Sequence, residues 1–229
     1  MKKVYTFYRK TIGLLTAGVI GMASIATAQV ETLDFAGLSA GTLLDEQYAS
    51  QGIHISADAD DGHPDMLMVF NSDGTGSADP DLEVGIGNLA IFPYNSNDID
   101  DTPDGGKQYY EFDEDVTIIS LDFVDKDNGN PGKLHLYDAS GSHVGDHIEI
   151  PDAGDGSVQT IMVNRSGIRK LNIDYDDSGG VTNIKFSRDC QNVTDPGEIG
   201  YAQSGCAPFD PNEIISVEDP SGGYGNIEY

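Results

Sequence analysis

The chain has 229 residues, a formal net charge of −27 at pH 7 and a sequence pI of about 4.1. Nucleic acids and anionic membrane surfaces carry charge of the same sign, so we exclude both as partners. Three explanations of the acidity remain: a solvated surface adapted to salt, sites for divalent cations, or a disordered acidic tail. The tail is the weakest of these, because the acidic residues alternate with apolar and aromatic residues instead of forming one polar block.

The first 28 residues have the features of a cleavable secretory signal peptide. A basic start over residues 2–10 precedes an apolar stretch over 12–25 and the small-x-small sequence Ala26-Thr27-Ala28. A membrane anchor is the alternative, but the apolar stretch is shorter than the roughly 20 residues that span a bilayer. We therefore expect a mature chain that begins at Gln29, is secreted or held at the cell surface, and does not insert into a membrane.

Residues 29–189 predict an all-β domain. Short runs in which apolar and polar residues alternate are separated by clusters of Gly, Pro, Asn and Asp, the pattern of strands joined by turns. Residues 43–49 could form a turn or two of helix. About eleven runs in one stretch favour a jelly-roll-like β-sandwich. The predicted strands are Val30–Phe35, Gly52–Ala57, Met66–Phe70, Asn88–Phe92, Lys107–Phe112, Val116–Val124, Lys133–Tyr137, His147–Ile150, Val158–Val163, Ile168–Tyr175 and Val181–Phe186.

Residues 190–229 predict a linker and an incomplete second β module. Asp195-Pro196-Gly197 opens a segment rich in Pro and Gly, and the sequence stops inside an apparent strand at 227–229. We therefore expect a longer parent protein. The two cysteines, Cys190 and Cys206, predict a disulfide in an exported chain, with two free thiols as the alternative. Neither cysteine has a neighbouring His, which argues against zinc binding and against a nucleophile.

Four segments of the predicted domain are rich in oxygen ligands: 71–81, 95–104, 122–128 and 174–177. Calcium takes six to eight oxygens, often from Asp carboxylates and Asn amides in tight loops, and Asp-x-Asp spacing lets two carboxylates converge. The alternative for any single Asp is a turn residue whose side chain bonds the nearby backbone. We predict at least one calcium site. The predicted ligands are Asn71, Asp73, Asp79 and Asp81 for a first site, and Asp125 and Asp127 for a second.

No stricter metal motif is present in the sequence. The segment from Asp125 begins like an EF-hand loop but has Leu136 at the twelfth position, where that loop needs a bidentate Glu. His143 and His147 lie four residues apart, yet zinc needs three or four converging ligands and the sequence marks no third. We therefore predict calcium, and zinc bound by histidines is the weaker alternative.

Catalysis is not indicated by any motif. The sequence has no nucleophile elbow, no His-Glu-x-x-His and no phosphate loop. Acidic residues are so numerous that no pair of them identifies a glycosidase. Trp, a common platform for sugars, is absent. Five tyrosines are candidates to replace it: Tyr94, Tyr109, Tyr110, Tyr137 and Tyr175.

Residues 30–187 resemble secreted bacterial jelly-roll-like modules. The likeness is carried by Leu33 to Thr42 followed by Gln47-Tyr48 and Gly52-Ile53, by the acidic loop and next strand from Phe70 to Ile91, and by Ile119 to Asp125. The resemblance implies a β-sandwich on a surface or secreted protein. It implies no particular activity.

The tail resembles the start of repeat modules in surface adhesins of Bacteroidota. The sequence segments that carry this likeness are 195–200, Gln203 to Cys206, 209–211 and 221–229. The resemblance implies a long, multi-domain protein of the cell surface.

Together these features predict an exported, calcium-stabilised, non-catalytic binding or adhesion module of a larger bacterial protein. Its partner is expected to be an extracellular ligand such as a polysaccharide or cell-surface glycan. The alternative function is a carbohydrate-binding module of a polysaccharide-degrading enzyme, and a hydrolase or lyase is the third possibility.

Overall fold

The computed structural model describes residues 29–188, except for 61, 76, 78 and 128, and the backbone of 198–199 and 216–218. The predicted signal peptide and both cysteines lie outside the described residues, so their roles stay predictions. Within the described part of the chain, no helix is long and apolar enough to cross a membrane.

The described residues form twelve strands and one 3-10 helix at Ala49–Gln51. Leu43 and Leu44 form a strand, where the sequence suggested a helical turn. The prediction of an all-β, jelly-roll-like sandwich is confirmed. The strands are β1 (Val30–Leu33), β2 (Leu43–Leu44), β3 (Ile53–Ala59), β4 (Leu67–Asn71), β5 (Asn88–Ile91), β6 (Gly106–Val124), β7 (Gly132–Tyr137), β8 (Ile148–Ile150), β9 (Val158–Tyr175), β10 (Gly180–Arg188), β11 (Glu198–Ile199) and β12 (Ser216–Glu218).

The first ten strands form one antiparallel sheet that folds into two layers. The first half of β6 pairs with β3, and its second half pairs with β10. β9 follows β6 along both halves, and the pairing register shifts around residues 111–120. One layer therefore has the order β3-β6-β9-β7-β8, and the other joins β1, β10, β5, β4 and β2 to the far halves of β6 and β9.

The prediction that β6 and β9 are each two strands is wrong. Asp113-Glu114-Asp115 and Asn164 to Gly167 read as turns because their residue types favour turns. In the structure these residues continue the strand as irregular pairing, with positive φ at Asn164 (49°) and Gly167 (72°). A bulge of this kind bends a strand without ending it.

The core lies between the two layers. Aromatic pairs join them: the ring centroids of Phe112 and Phe186 are 5.3 Å apart, and those of Phe123 and Tyr175 are 4.8 Å apart. Each fully buried large apolar side chain stabilises the fold by about 1.5–3 kcal/mol. Inward residues alternate with outward ones along β6, β9 and β7, so the opposite face of β3-β6-β9-β7 is left to polar side chains.

A buried polar chain crosses the same core. The Tyr110 hydroxyl donates to Gln108 Oε1 (2.7 Å), and Gln108 Nε2 donates to the Tyr175 hydroxyl (2.8 Å). These groups satisfy one another, which removes the cost of burying them alone.

β11 and β12 pair with each other in an antiparallel two-stranded sheet. The predicted division at residue 190 stays a prediction.

Candidate functional site

Five connections meet at one end of the sandwich. Val124 pairs with both Gly180 and Val158, and Gly180 pairs with Ile91, so the ends of β5 and β6 and the starts of β9 and β10 lie side by side. The loops that leave these strands carry the acidic residues. Four of them are the β5–β6, β6–β7, β8–β9 and β9–β10 connections. The fifth, the β4–β5 connection, begins at the opposite end of β5, and its acidic residues reach the other loops.

Six aspartates of these loops form two triads. In each triad one carboxylate oxygen per residue lies within 4.8 Å of the others. We call them the inner triad, Asp79, Asp100 and Asp101, and the outer triad, Asp81, Asp125 and Asp155. They adjoin, because the Asp79 carboxyl faces those of both Asp81 and Asp101.

Burial makes this arrangement costly without a cation. Asp79, Asp101 and Asp125 are 7%, 8% and 2% exposed. Asp79 Oδ2 and Asp81 Oδ1 are buried and have no hydrogen-bond partner. Two unit charges 4 Å apart repel by about 4 kcal/mol at an effective dielectric constant of 20. The buried, unpartnered oxygens therefore face a position that suits a positive ion.

The carboxylates are held in place from behind. Asp125 accepts from the Gly156 N–H at 2.7 Å and from the Ser178 hydroxyl at 3.1 Å. Asp125 itself has φ 64°, a conformation that costs energy for a residue with a side chain and that clusters at functional sites. The Gly179 N–H donates to Asp101. Gly179 has φ +125°, and a Cβ there would lie 2.5 Å from the Val124 carbonyl oxygen, so only glycine fits.

The electrostatics of the triads follow from burial and from mutual repulsion. Desolvation is the largest cause that raises the pKa of Asp79, followed by the nearby carboxyls of Asp81 and Asp101. Desolvation also raises the pKa of Asp101, Asp100 and Asp125. Hydrogen bonds from Gly179 and Gly156 oppose the effect at Asp101 and Asp125. The ionised carboxylates are thus disfavoured unless a cation replaces the hydration that they lose on burial.

Three of the six predicted ligands lie in the triads: Asp79 in the inner, and Asp81 and Asp125 in the outer. The carboxyls of Asp79 and Asp81 face each other but belong to different triads, and Asp127 belongs to neither. The structure adds Asp100, Asp101 and Asp155. Asp100 and Asp101 stand in the acid-rich segment 95–104, which was a usable signal, whereas Asp155 stands in none of the four segments.

The other three predicted ligands lie elsewhere. Asn71 Oδ1 accepts from the Asp73 N–H at 3.0 Å, and Asp73 Oδ1 accepts from the Gly87 N–H at 3.1 Å. These two side chains shape the β4–β5 loop. The side chain of Asp127 is exposed, and its backbone N–H donates to Asp177 Oδ2, which also accepts from Lys126 at 2.7 Å.

A second concave feature lies on the polar face of β6, β9 and β7. It is a groove of about 670 Å³, a size typical of small-ligand sites, lined in part by Tyr109, Tyr137, Glu111, Asn172 and Lys170. The pairing register explains its floor: Tyr109 lies opposite Asn172, and Glu111 lies opposite Lys170, which lies opposite Tyr137. We call it the sheet groove.

The side chains of the sheet groove are braced against one another. Lys170 Nζ contacts Glu111 Oε1 at 2.8 Å and lies 4.5 Å from the centre of the Tyr109 ring. Arg169, at the groove edge, donates from Nε to Asp115 Oδ1 at 2.7 Å. Two tyrosine rings with charged and amide groups between them can contact a ligand through both apolar and hydrogen-bonding surfaces.

No family model matches the chain, and no curated protein matches its sequence. The fold is similar to a fucose-binding module of Streptococcus pneumoniae, at 9% identity and TM-score 0.32 over 58% of this chain and 89% of that one. It is also similar to CBM32-1 of a family 31 glycoside hydrolase from Clostridium perfringens, at 15% identity and TM-score 0.29 over 54% and 94%. At these TM-scores the likeness carries no argument about ligand or activity.

Proposed function

We propose that residues 29–188 form a calcium-stabilised, non-catalytic binding module that works outside the cell. The observation that carries the calcium part is the pair of triads with buried, unpartnered carboxylate oxygens. The predicted signal peptide supports the extracellular location. It also gives the site access to calcium at the millimolar concentrations that weak extracellular sites use.

The chemistry of the donors favours calcium over other ions. All six side chains offer carboxylate oxygen, which suits calcium and magnesium and not the softer metals that prefer nitrogen or sulfur. Magnesium demands a compact octahedron and keeps several waters, whereas calcium accepts an irregular shell of six to eight oxygens. Ligands from loops that lie far apart in the sequence fit the more tolerant ion.

Calcium should raise the thermal stability of the full chain. At about 100 times the dissociation constant, a bound ion adds roughly 2.7 kcal/mol, which for a domain of this size is a rise in Tm of about 5–10 °C. The measurement is a melt in excess chelator and after calcium is restored. Asp79→Asn and Asp101→Asn should abolish the rise, and Asp113→Asn, an exposed carboxyl outside both triads, should keep it. Identical melts of the wild type with and without calcium would end the proposal.

The sheet groove favours a carbohydrate as the ligand. A pyranose ring presents an apolar face that packs on tyrosine, and its hydroxyls pair with carboxylates, amides and ammonium groups of the kind found between Tyr109 and Tyr137. This assignment supports a carbohydrate-binding module or a glycan-binding adhesin equally, because both need the same groove.

Retention on insoluble polysaccharides, followed by a glycan array, tests the sheet groove. Tyr109→Ala and Tyr137→Ala should each weaken binding about tenfold, roughly the loss of one aromatic contact. Tyr94→Ala is the matched control, since this tyrosine is 44% exposed and does not line the groove. Equal loss in the control, or no retention of the wild type on any glycan, would contradict the assignment. Release of sugar during incubation would contradict the non-catalytic role.

A further inference from the structure

Three histidines lie close together on the face of the sheet that carries the sheet groove, at its β7–β8 edge and outside both carboxylate triads. His135 is in the middle of β7. Ile148 pairs with Leu134, so His147, directly before β8, lies opposite His135. His143 lies in the β7–β8 connection and forms an isolated bridge with Tyr137. The sequence shows only the spacing of His143 and His147, and the pairing of β7 with β8 supplies the third imidazole.

Two of the three ring separations are close to those around a shared metal ion. The ring centroid of His135 lies 5.8 Å from that of His143 and 5.9 Å from that of His147. A tetrahedral ion bound by imidazole nitrogens at about 2.0–2.1 Å keeps ring centroids roughly 5 Å apart. Among the described residues, only the two carboxylate triads already have all their ligand atoms within 4.8 Å, so the imidazoles must turn inward to bind.

The turn needs no hydrogen bond to be broken. His143 and His147 are exposed, His135 is half-buried, and no hydrogen bond within the described residues engages any of the three rings. The His143 ring lies 4.5 Å from the ring of Tyr137, so its rotation toward the other two imidazoles gives up that ring contact.

The backbone that carries the rings is already fixed. Arg165 donates to the carbonyl oxygens of Val144, at 2.9 Å, and Asp146, which lie between the two loop histidines. The Val144 N–H donates to the Leu136 carbonyl at 2.8 Å. The Asp138 carboxylate caps the turn by accepting from the N–H groups of Ser140 and Ser142. A rigid loop loses little entropy when an ion binds, which favours binding.

We propose that His135, His143 and His147 bind one transition-metal ion of the zinc class. Three imidazoles form a nitrogen site that calcium does not favour, so this site is chemically distinct from the carboxylate triads. The fourth position of a tetrahedral ion is left to water or to a ligand atom.

Cobalt(II) is the probe of choice, because its visible absorption reports tetrahedral coordination. The experiment uses the full chain without a histidine tag, in excess calcium so that the carboxylate triads are occupied. One equivalent of cobalt should give the tetrahedral band at neutral pH, and one equivalent of zinc should remove it.

Variants assign the site. His135→Gln, His143→Asn and His147→Asn should each weaken cobalt binding tenfold or more, while His54→Gln and His63→Gln should leave it unchanged. Variants that keep the metal-free melting temperature and still bind cobalt normally would overturn the proposal, as would wild-type protein that binds no cobalt at millimolar concentration. If a variant does not fold, the wild-type protein still decides: cobalt must broaden the imidazole NMR signals of these three histidines and spare those of His54 and His63.

Discussion

Asp79 is the residue of the acidic loops at which burial and ionisation are hardest to combine. It is almost fully buried, one of its oxygens has no partner, and it lies against two other carboxyls. Its ordinary ionised state is therefore stable only with a cation nearby. The features that suit Asp79 to the proposed calcium ion would destabilise the fold in the absence of that ion.

This conflict predicts a pH dependence that calcium reverses. The folded-state pKa of Asp79 is raised above its value of about 4 in the unfolded chain. The protonated Asp79 carboxyl therefore contributes fully to the free energy of unfolding below about pH 4, and this contribution is lost as the pH rises. In chelator, the Asp79→Asn variant should therefore be more stable than the wild type at pH 8, and the difference should shrink toward pH 4. One proton limits the slope to about 1.4 kcal/mol per pH unit.

Urea unfolding of both proteins at several pH values, in chelator and in calcium, measures this difference. In calcium the wild type should be the more stable at pH 8. A wild type that exceeds the variant at every pH in chelator would show that Asp79 is stabilised by its neighbours instead of strained by them.

The residue types of this site were visible in the sequence, but their grouping was not. Acid-rich loops with Gly and Pro identified Asp79, Asp81 and Asp125 as candidates. Asp155 lies 30 residues after Asp125 in the sequence, and the pairing of Val124 in β6 with Val158 in β9 brings the loops of these two residues together. Asn71 and Asp73 match calcium ligands in composition, yet they satisfy backbone groups of their own loop, the commoner use of such residues.

At the scale of elements, β1 is held on the sheet by its pairing with β10 and, near its first residue, by one arginine side chain. Arg188, the last residue of β10, donates from Nε to Glu31 of β1 at 2.8 Å. It also donates to Glu114 of β6 and to the Gln51 carbonyl, the latter at 2.7 Å. One guanidinium thus ties together three segments of the chain.

Replacing Arg188 by Gln should loosen β1 first. The ion pairs are about a third exposed, so we expect a total loss of only about 1–2 kcal/mol. Amide hydrogen exchange should quicken most at residues 30–33. Lys170→Gln is the control, because it removes an exposed ion pair within the other layer and should leave exchange in β1 unchanged. Equal acceleration throughout the sheet would contradict a local role for Arg188.

The strand boundaries show which parts of the fold can be predicted from the local sequence pattern alone. Alternation of apolar and polar residues depends only on the strand repeat, so it located the strands. It did not show that β6 and β9 run on through 113–115 and 164–167, because the same residue types serve a turn and a bulge. Which of the two forms depends on the partner strand, and that information is not local.

On the scale of the whole molecule, the chain separates its polar sites by chemistry. Carboxylates lie at the loop end, tyrosines and charged groups line the polar face of β6, β9 and β7, and imidazoles lie at the β7–β8 edge of that face. The chain as a whole has a net charge of −27, which also favours cations over anions near the surface.

The pairing of β1 with β10 has a mechanical consequence. Val30 lies opposite Ser187, so the chain enters and leaves the domain at the same place. A force applied through both ends would load the hydrogen bonds between these strands one after another, as in opening a zipper, and not all at once in shear. The domain would then yield at low force by peeling β1 away, while the carboxylate triads, bound through other strands, would stay assembled.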